Sequence, residues 1–583
     1  MMKQTYISRL LVFIMGLLVF ASCEDLIVEE PYSLYTDENF YETDKQAISA
    51  INGVYRCMVD RDNSLTPYSS YGMAGALMMM DMMSDMCYSE GNKTNYGGQI
   101  ATGTHAENEV VSNNMWALSY LMINKANNVI GNVPNIEMDS VLQQRILGEA
   151  RFLRAYAYFN LAKFWGKVPL RVEETRDYEP STTQIERSEI QEVFQVILED
   201  LEFAEKSLFF KYGSYMNGGE FGDYPLEFWG RKEIIEEEGL IRYSHPKLYL
   251  QTDNGRASIE AARGMLARVH LFLASMNKFG NVEGYDWVDS EASYRATRDY
   301  CKKIIDYGNY ALVDDYIEYF STDNKHNSET MFEIEHYELE GNGGIWGYWH
   351  GDSHRIRARV EYLDLFDAEL SEDQKFYVDS LTDARLIYSA NVREGKDNLE
   401  IAKFGYKSTA DYDKWGMPAH LRFSNFTNAF NNAVNVPVMR YADILLMMAE
   451  SINEIEGPGR SYQYINQLRS RARRSNFDET NIPGDVYGMT RDEFRFFVWD
   501  ERKRELSFEC HNFEDLVRTG TFMEKISSTK KVNNCNVYFL NPIEWIEAPP
   551  SLLADNVEEH HQLFPVPLSE INVNHVIDQN PGY

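Results

Sequence analysis

Two stretches of this 583-residue chain, GEARFLRAYAYFNLAKFWG at 148–166 and SIEAARGMLARVHLFLASM at 258–276, share one pattern of small residues interleaved with large apolar ones at helical spacing. In the first, the alanines at 150, 155, 157 and 162 let a neighbouring helix approach, while Phe152, Tyr156 and Phe159 present bulk at successive turns of one face. Segments with this pattern need other helices against them, so the chain is expected to pack helix on helix.

The same periodicity predicts helices over 113–131, 140–165, 188–208, 258–276, 294–307, 440–456, 461–474 and 491–520. Met115, Leu118, Leu121, Met122 and Val129 line the first, which Gly131 and Pro134 end; Gly166 and Pro169 stop the second. The segment 294–307 reads as the hairpin partner of 258–276. Paired helices with small residues at their crossings resemble tetratricopeptide units, although no strict period is present, so the repeats are degenerate. The expected fold class is mainly α: a tetratricopeptide-like helical-hairpin scaffold with long irregular loops and a few short strands. The long polar segments are 60–112, 210–255, 321–435 and 526–562, and loops of such length in a compact protein carry function or small elements of their own.

The N-terminus addresses the chain. Lys3 and Arg9 precede an apolar run from Leu10 to Phe20, closed by Ala21 and Ser22 before Cys23. Eleven apolar positions are too few to span a bilayer, which takes about 20, but they suit a secretory leader. A cysteine placed there predicts bacterial lipoprotein processing over residues 1–22, with Cys23 lipidated and the outer membrane reached through that anchor. Glu24 and Asp25 resemble the surface-export signal of Bacteroidetes lipoproteins, which points to the cell surface. A net charge of −34 makes nucleic acid and anionic lipid surfaces poor partners. Cys57, Cys87, Cys301, Cys510 and Cys535 are scattered without a CxxC pair, so neither a disulfide framework nor a zinc motif follows, and they are expected as small buried hydrophobes.

Motifs of catalysis are absent from the sequence: there is no GxSxG, HExxH, Walker A loop or dinucleotide fingerprint. Asp411-Tyr412-Asp413 opens like a calcium loop, but its twelfth position is Arg422 where a bidentate Glu is needed. His560 and His561 beside Glu558 and Glu559 read as a solvated polar loop. No cofactor and no metal site are expected. Glu501, Arg502, Arg504, Glu505 and Arg518 are expected to pair along one helix face, with Leu506, Phe508, Phe513 and Leu516 in the core. Arg151, Arg154 and Arg440 sit beside apolar stripes and are expected to bridge carboxylates or helix ends.

Several of these segments, in order, resemble the SusD/RagB family of outer-membrane nutrient-binding lipoproteins: 148–170, 258–276, 294–312, NSETMFEIEH at 327–336, VPVMRYADILLMMAESINE at 436–454, WDERKRELSFECHNFEDLVRTG at 499–520, and the ending LFPVPLSEINVNHVIDQNPGY at 563–583. The resemblance implies an N-terminal region over 23–235 and a C-terminal region over 236–583 forming one unit. It implies no enzyme activity. It implies a glycan-binding protein that captures oligosaccharides for a partner TonB-dependent, SusC-like barrel transporter, or, in a second version, a peptide-binding subunit of a RagAB-like importer. Ligand residues in such proteins fall in loops, and two segments here have the required content. Asp85–His105 carries Tyr88, Asn92, Tyr96 and Gln99 among glycines; Gly341–Arg357 carries Trp346, Tyr348, Trp349, His350, His354 and Arg357. Aromatic planes stack on sugar faces while Asn, His and Arg hydrogen-bond hydroxyls, which is the chemistry a glycan site needs.

Overall fold

Capping and apolar faces place the helices close to where the sequence predicts them. The computed structural model describes residues 40–59, 72–89, 97–175, 179–209, 231–235, 240–244, 254–337, 356–366, 383–392, 399–401, 403–404, 433–476, 481–531 and 550–583. The principal helices are α1 (Asp44–Tyr55), α2 (Gly72–Met80), α3 (Val110–Asn132), α4 (Ser140–Trp165), α5 (Ile190–Ser207), α6 (Ile259–Lys278), α7 (Ser290–Tyr307), α8 (Tyr441–Glu456), α9 (Tyr462–Arg474), α10 (Arg491–Glu505) and α11 (Asn512–Arg518). Asp139 starts α4 by accepting from the Val141 and Leu142 amides at 3.1 and 2.9 Å, and Ser258 starts α6 by accepting from Ala261 N at 3.1 Å.

From α3 to α8 each helix packs on the next, the arrangement of a helical-hairpin array. The closest approaches use glycine. A Cβ on Gly148 of α4 would stand 2.9 Å from Ser207 Cβ of α5, and one on Gly264 of α6 would stand 2.0 Å from Met439 Sδ. Between these crossings aromatic edges interlock, with Phe159 on Phe272 at 5.6 Å and Trp116 on Trp165 at 5.3 Å between centroids. The Arg154 guanidinium forks onto Asp200 at 2.7 and 2.8 Å, tying α4 to α5 as a carboxylate bridge. One hydrophobic core runs from Ala47 to Ile577.

Strands are short. An antiparallel sheet has the order β1 (Cys87–Ser89), β5 (Ile356–Ala358), β7 (Leu399–Ile401), β6 (Ala390–Val392); β2 (Arg231–Ile235) pairs β3 (Leu240–Ser244), and β4 (Thr330–Ile334) pairs β8 (Val436–Arg440).

Three expectations need correction. The segment 60–112 is not uniformly polar loop: GMAGALMMM forms α2, in which every residue is buried. Its apolar residues run all round, so no 3.6-residue stripe marks it, although a helix apolar on all faces belongs in a core. The single helix expected over 491–520 is broken between α10 and α11, where Phe508 and Cys510 take left-handed φ of 62° and 65°. That break frees the carbonyls of Glu505 and Ser507 for Lys403 Nζ at 3.1 and 3.0 Å. His561, finally, is buried and not in a solvated loop; its ring lies 5.1 Å from His105, and burial pushes His105 down to about 3 and His561 to about 4, so both are neutral. Cys57, Cys87 and Cys301 are buried, as expected, and Cys510 is half-buried; Cys535 lies outside the described residues.

The terminal motif acts as a clasp. Asn580 Nδ2 donates to the carbonyls of Trp165 and Phe564 at 3.1 and 2.7 Å, Arg187 donates to Asn580 Oδ1, and Tyr583 Oη donates to Leu563 O at 2.9 Å. The last residues of the chain are thereby fixed to the C-terminal end of α4.

Candidate ligand site

Tyr88 and Arg357, one from each candidate segment, are directly opposed partners on β1 and β5. Sequence separation hides this: they stand 269 positions apart, and the pairing is tertiary. Arg357 also opposes Glu400 on the other edge of β5. Arg359 braces the pair, donating from its amide to Met86 O at 2.8 Å and from Nε to Cys87 O at 3.2 Å, with its guanidinium 5.8 Å from the Tyr88 ring centre.

Tyr88 and Arg357 are both buried, at 6% and 2% exposure. Neither presents an open face, so any contact they make with a ligand is not that of an exposed platform. They form the floor from which the two segments depart, and Arg359, which the motif reading passed over, belongs with them. Asn92, Tyr96, Trp346, Tyr348, Trp349, His350 and His354 lie outside the described residues, as does Cys23.

The segment 85–105 is pinned at both ends. Asp85 receives Lys503 Nζ at 2.7 Å and Asn512 Nδ2 at 2.7 Å, and despite burial the Lys503 charge and these hydrogen bonds hold its carboxyl below the usual range. Nearby Asp81 accepts from the Phe513 amide at 2.8 Å, but burial pushes it up to about 7. At the other end His105 Nε2 shares a 3.0 Å hydrogen bond with Tyr583 Oη. The segment entering 338–355 is held likewise, since His336 N donates to Asn435 Oδ1 at 3.0 Å and its ring Nδ1 lies 3.1 Å from Val434 O.

The described residues also hold a buried ion network. Arg440 reaches Glu329 at 2.6 Å, Glu505 at 2.7 Å and Glu509 at 2.8 Å; Arg471 also meets Glu329 and Glu505. Arg385 meets Asp383 at 2.7 Å and Glu501 at 2.9 Å, and Lys403 meets Glu509 at 2.6 Å. Against the upward push of burial, Arg471, Arg440 and Arg385 hold Glu505 well below the carboxylate range; burial brings Lys403 down to about 8. Pairs along one helix face, such as Arg504–Glu501 at 3.1 Å, are the minor part of this network. Most partners are distant in sequence, because the residues are buried and a buried charge must find its counter-charge wherever the fold provides one. These groups neutralise one another across separate elements and tie those elements together.

The model of the SusD family matches residues 285–583, and one described as starch-binding associating with outer membrane matches 35–214. The chain belongs to the SusD family and is outer-membrane associated. It is 23% identical to a SusD-like protein of Formosa agariphila over 99% of each chain, and 26% identical to the starch-binding protein SusD of Bacteroides thetaiotaomicron over 38% of this chain and 35% of that one. Among solved structures, a SusD homolog from Bacteroides thetaiotaomicron superposes with a TM-score of 0.67 at 21% identity, covering 94% of this chain and 99% of that one. A laminarin binding SusD-like protein superposes at 0.61 with 20% identity, covering 93% and 100%.

Proposed function

We propose that this protein is a cell-surface glycan-binding lipoprotein, anchored through Cys23, that captures oligosaccharides and passes them to a partner TonB-dependent barrel of the SusC type. The observation that carries the reading is the β1–β5 pairing, which joins at one floor two segments with the aromatic and hydrogen-bonding content a glycan site needs. Trp346, Tyr348, Trp349 and Tyr96 would supply stacking faces, and Asn92, His350 and His354 would address hydroxyls. Tyr88 and Arg357 would hold the segments in register. A rigid scaffold carrying ligand residues on loops is the usual economy of a binding protein, and the relatives named for starch and laminarin bind the same class of molecule. Binding requires no bond to be made or broken, so the protein is expected to leave its ligand intact.

A glycan array followed by titration calorimetry on the purified protein tests this. Saturable binding of a neutral oligosaccharide, without release of new reducing ends, is the expected result. Binding of peptides with no glycan bound would overturn it in favour of a peptide importer. Co-purification of a barrel protein from native membranes in mild detergent is expected; repeated recovery of the chain alone would count against the delivery step.

A further inference from the structure

Away from the β1–β5 floor, three metal-ligand side chains converge at the start and end of β4. Strand alternation puts Glu333 and Glu335, two residues apart, on one side of the chain. His326 enters from the preceding turn in a left-handed conformation, φ 56°, uncommon for residues other than glycine. Its Nδ1 stands 3.3 Å from Glu333 Oε1 and 3.3 Å from Glu335 Oε1, and the three atoms lie within 4.8 Å of one another. His326 Nδ1 and Glu335 Oε1 are shielded from solvent, and neither makes a hydrogen bond.

The spacing has a simple interpretation. Two ligands on one tetrahedral zinc ion, each at about 2.0–2.1 Å, are separated by about 3.4 Å. The two nitrogen–oxygen distances at His326 match that edge.

The surroundings orient the set. Asn435 Nδ2 donates to Glu335 Oε2 at 3.0 Å, fixing the outer oxygen and leaving Oε1 toward His326, and Asn435 is itself held by the His336 amide. A Cβ on Gly255, where φ is +83°, would stand 2.4 Å from Glu335 Cγ, so that backbone closes the other side of the carboxylate. Lys325 also acts on Glu335, but its ammonium donates to His336 O at 2.6 Å.

We propose that His326, Glu333 and Glu335 form a divalent-metal site of zinc type, with the fourth tetrahedral position open to water. One imidazole and two carboxylates are a donor set that zinc accepts. An ion there would join the turn at 326 to the end of β4, immediately before the chain enters the segment that carries Trp346 and Trp349.

The test is calorimetric titration of the chelator-stripped protein with Zn2+ alone, repeated with Co2+ to read the visible absorption of a tetrahedral site. One ion per chain and an intense Co2+ spectrum are expected, with Zn2+ raising the melting temperature. His326→Ala and Glu335→Gln should each weaken binding by at least about tenfold, while the exposed His575→Ala should not change it. If His326→Ala does not fold, Glu335→Gln, which keeps the shape of the side chain, decides. Absence of stoichiometric Zn2+ binding, or full affinity in the folded variants, would overturn the proposal.

Discussion

Replacing Arg440 by methionine is expected to destabilise the fold by about 3–5 kcal/mol, the usual cost of removing one partner from a buried ion pair. The side chain is 1% exposed and makes three carboxylate contacts between 2.6 and 2.8 Å, so simple addition would suggest a far larger loss. Addition fails because the neighbours remain. Arg471 still meets Glu329 and Glu505, Arg385 still meets Glu505, and Lys403 still meets Glu509. One positive charge is lost from a network that keeps three, which places the cost in the range for one broken pair. Equilibrium urea denaturation is the assay, with the midpoint lowered and the slope kept. The pH dependence carries the mechanism. The folded-state pKa of Glu505 is depressed, so its stabilising contribution is present above the unfolded value of about 4.3 and is lost as pH falls toward the folded one. Without Arg440 that depression shrinks, so the deficit should be full at pH 7 and diminish below about pH 4.5. A loss under about 1 kcal/mol at pH 7, or a deficit constant between pH 7 and 4, would refute the reasoning.

Asp81 has the opposite sign: burial raises its folded pKa to about 7, so its contribution is present at low pH and lost as pH rises through that value. Asp81→Asn keeps an acceptor for the Phe513 amide and should gain about 2–3 kcal/mol relative to wild type between pH 5 and pH 8, measured by denaturation at both; a pH-independent difference would refute it. Asn580→Ala strips the Trp165 and Phe564 carbonyls of their donor and should lower stability by about 2–3 kcal/mol, with faster amide exchange at the end of α4 if the clasp is real. Cys23→Ala should abolish incorporation of a fatty-acid label and membrane retention; label persisting in the variant would remove the anchor.

Helices with an amphipathic stripe and a terminator were legible from residues alone, as α4 shows: Asp139 and Gly166 bound the interval that periodicity predicts. Legibility failed where burial came from all sides or where the chain turned for a tertiary reason. Nothing local marks α2, and nothing in KRELSFECHNF announces that Arg440 and Lys403, far away in sequence, would claim the Glu505 and Ser507 carbonyls. Arg440 itself ends β8 and does not open α8, because its extended conformation points it at three carboxylates from separate elements. The candidate site was legible as composition. Its geometry was not, since the opposition of Tyr88 and Arg357 depends on a strand pair of three residues on each side. Short strands leave almost no alternation to detect.

Binding of a matched oligosaccharide by wild type, Trp346→Ala and Trp349→Ala, with the melting temperature recorded for each, tests the glycan-binding reading most directly. Loss of a central aromatic anchor should weaken binding by about 2 kcal/mol, roughly thirtyfold, in at least one variant while leaving the melting temperature unchanged. Core tryptophans would instead lose about 3–5 kcal/mol of stability on truncation. A large fall in melting temperature, or glycan affinity unchanged in both variants, would contradict an aromatic platform at 346–349.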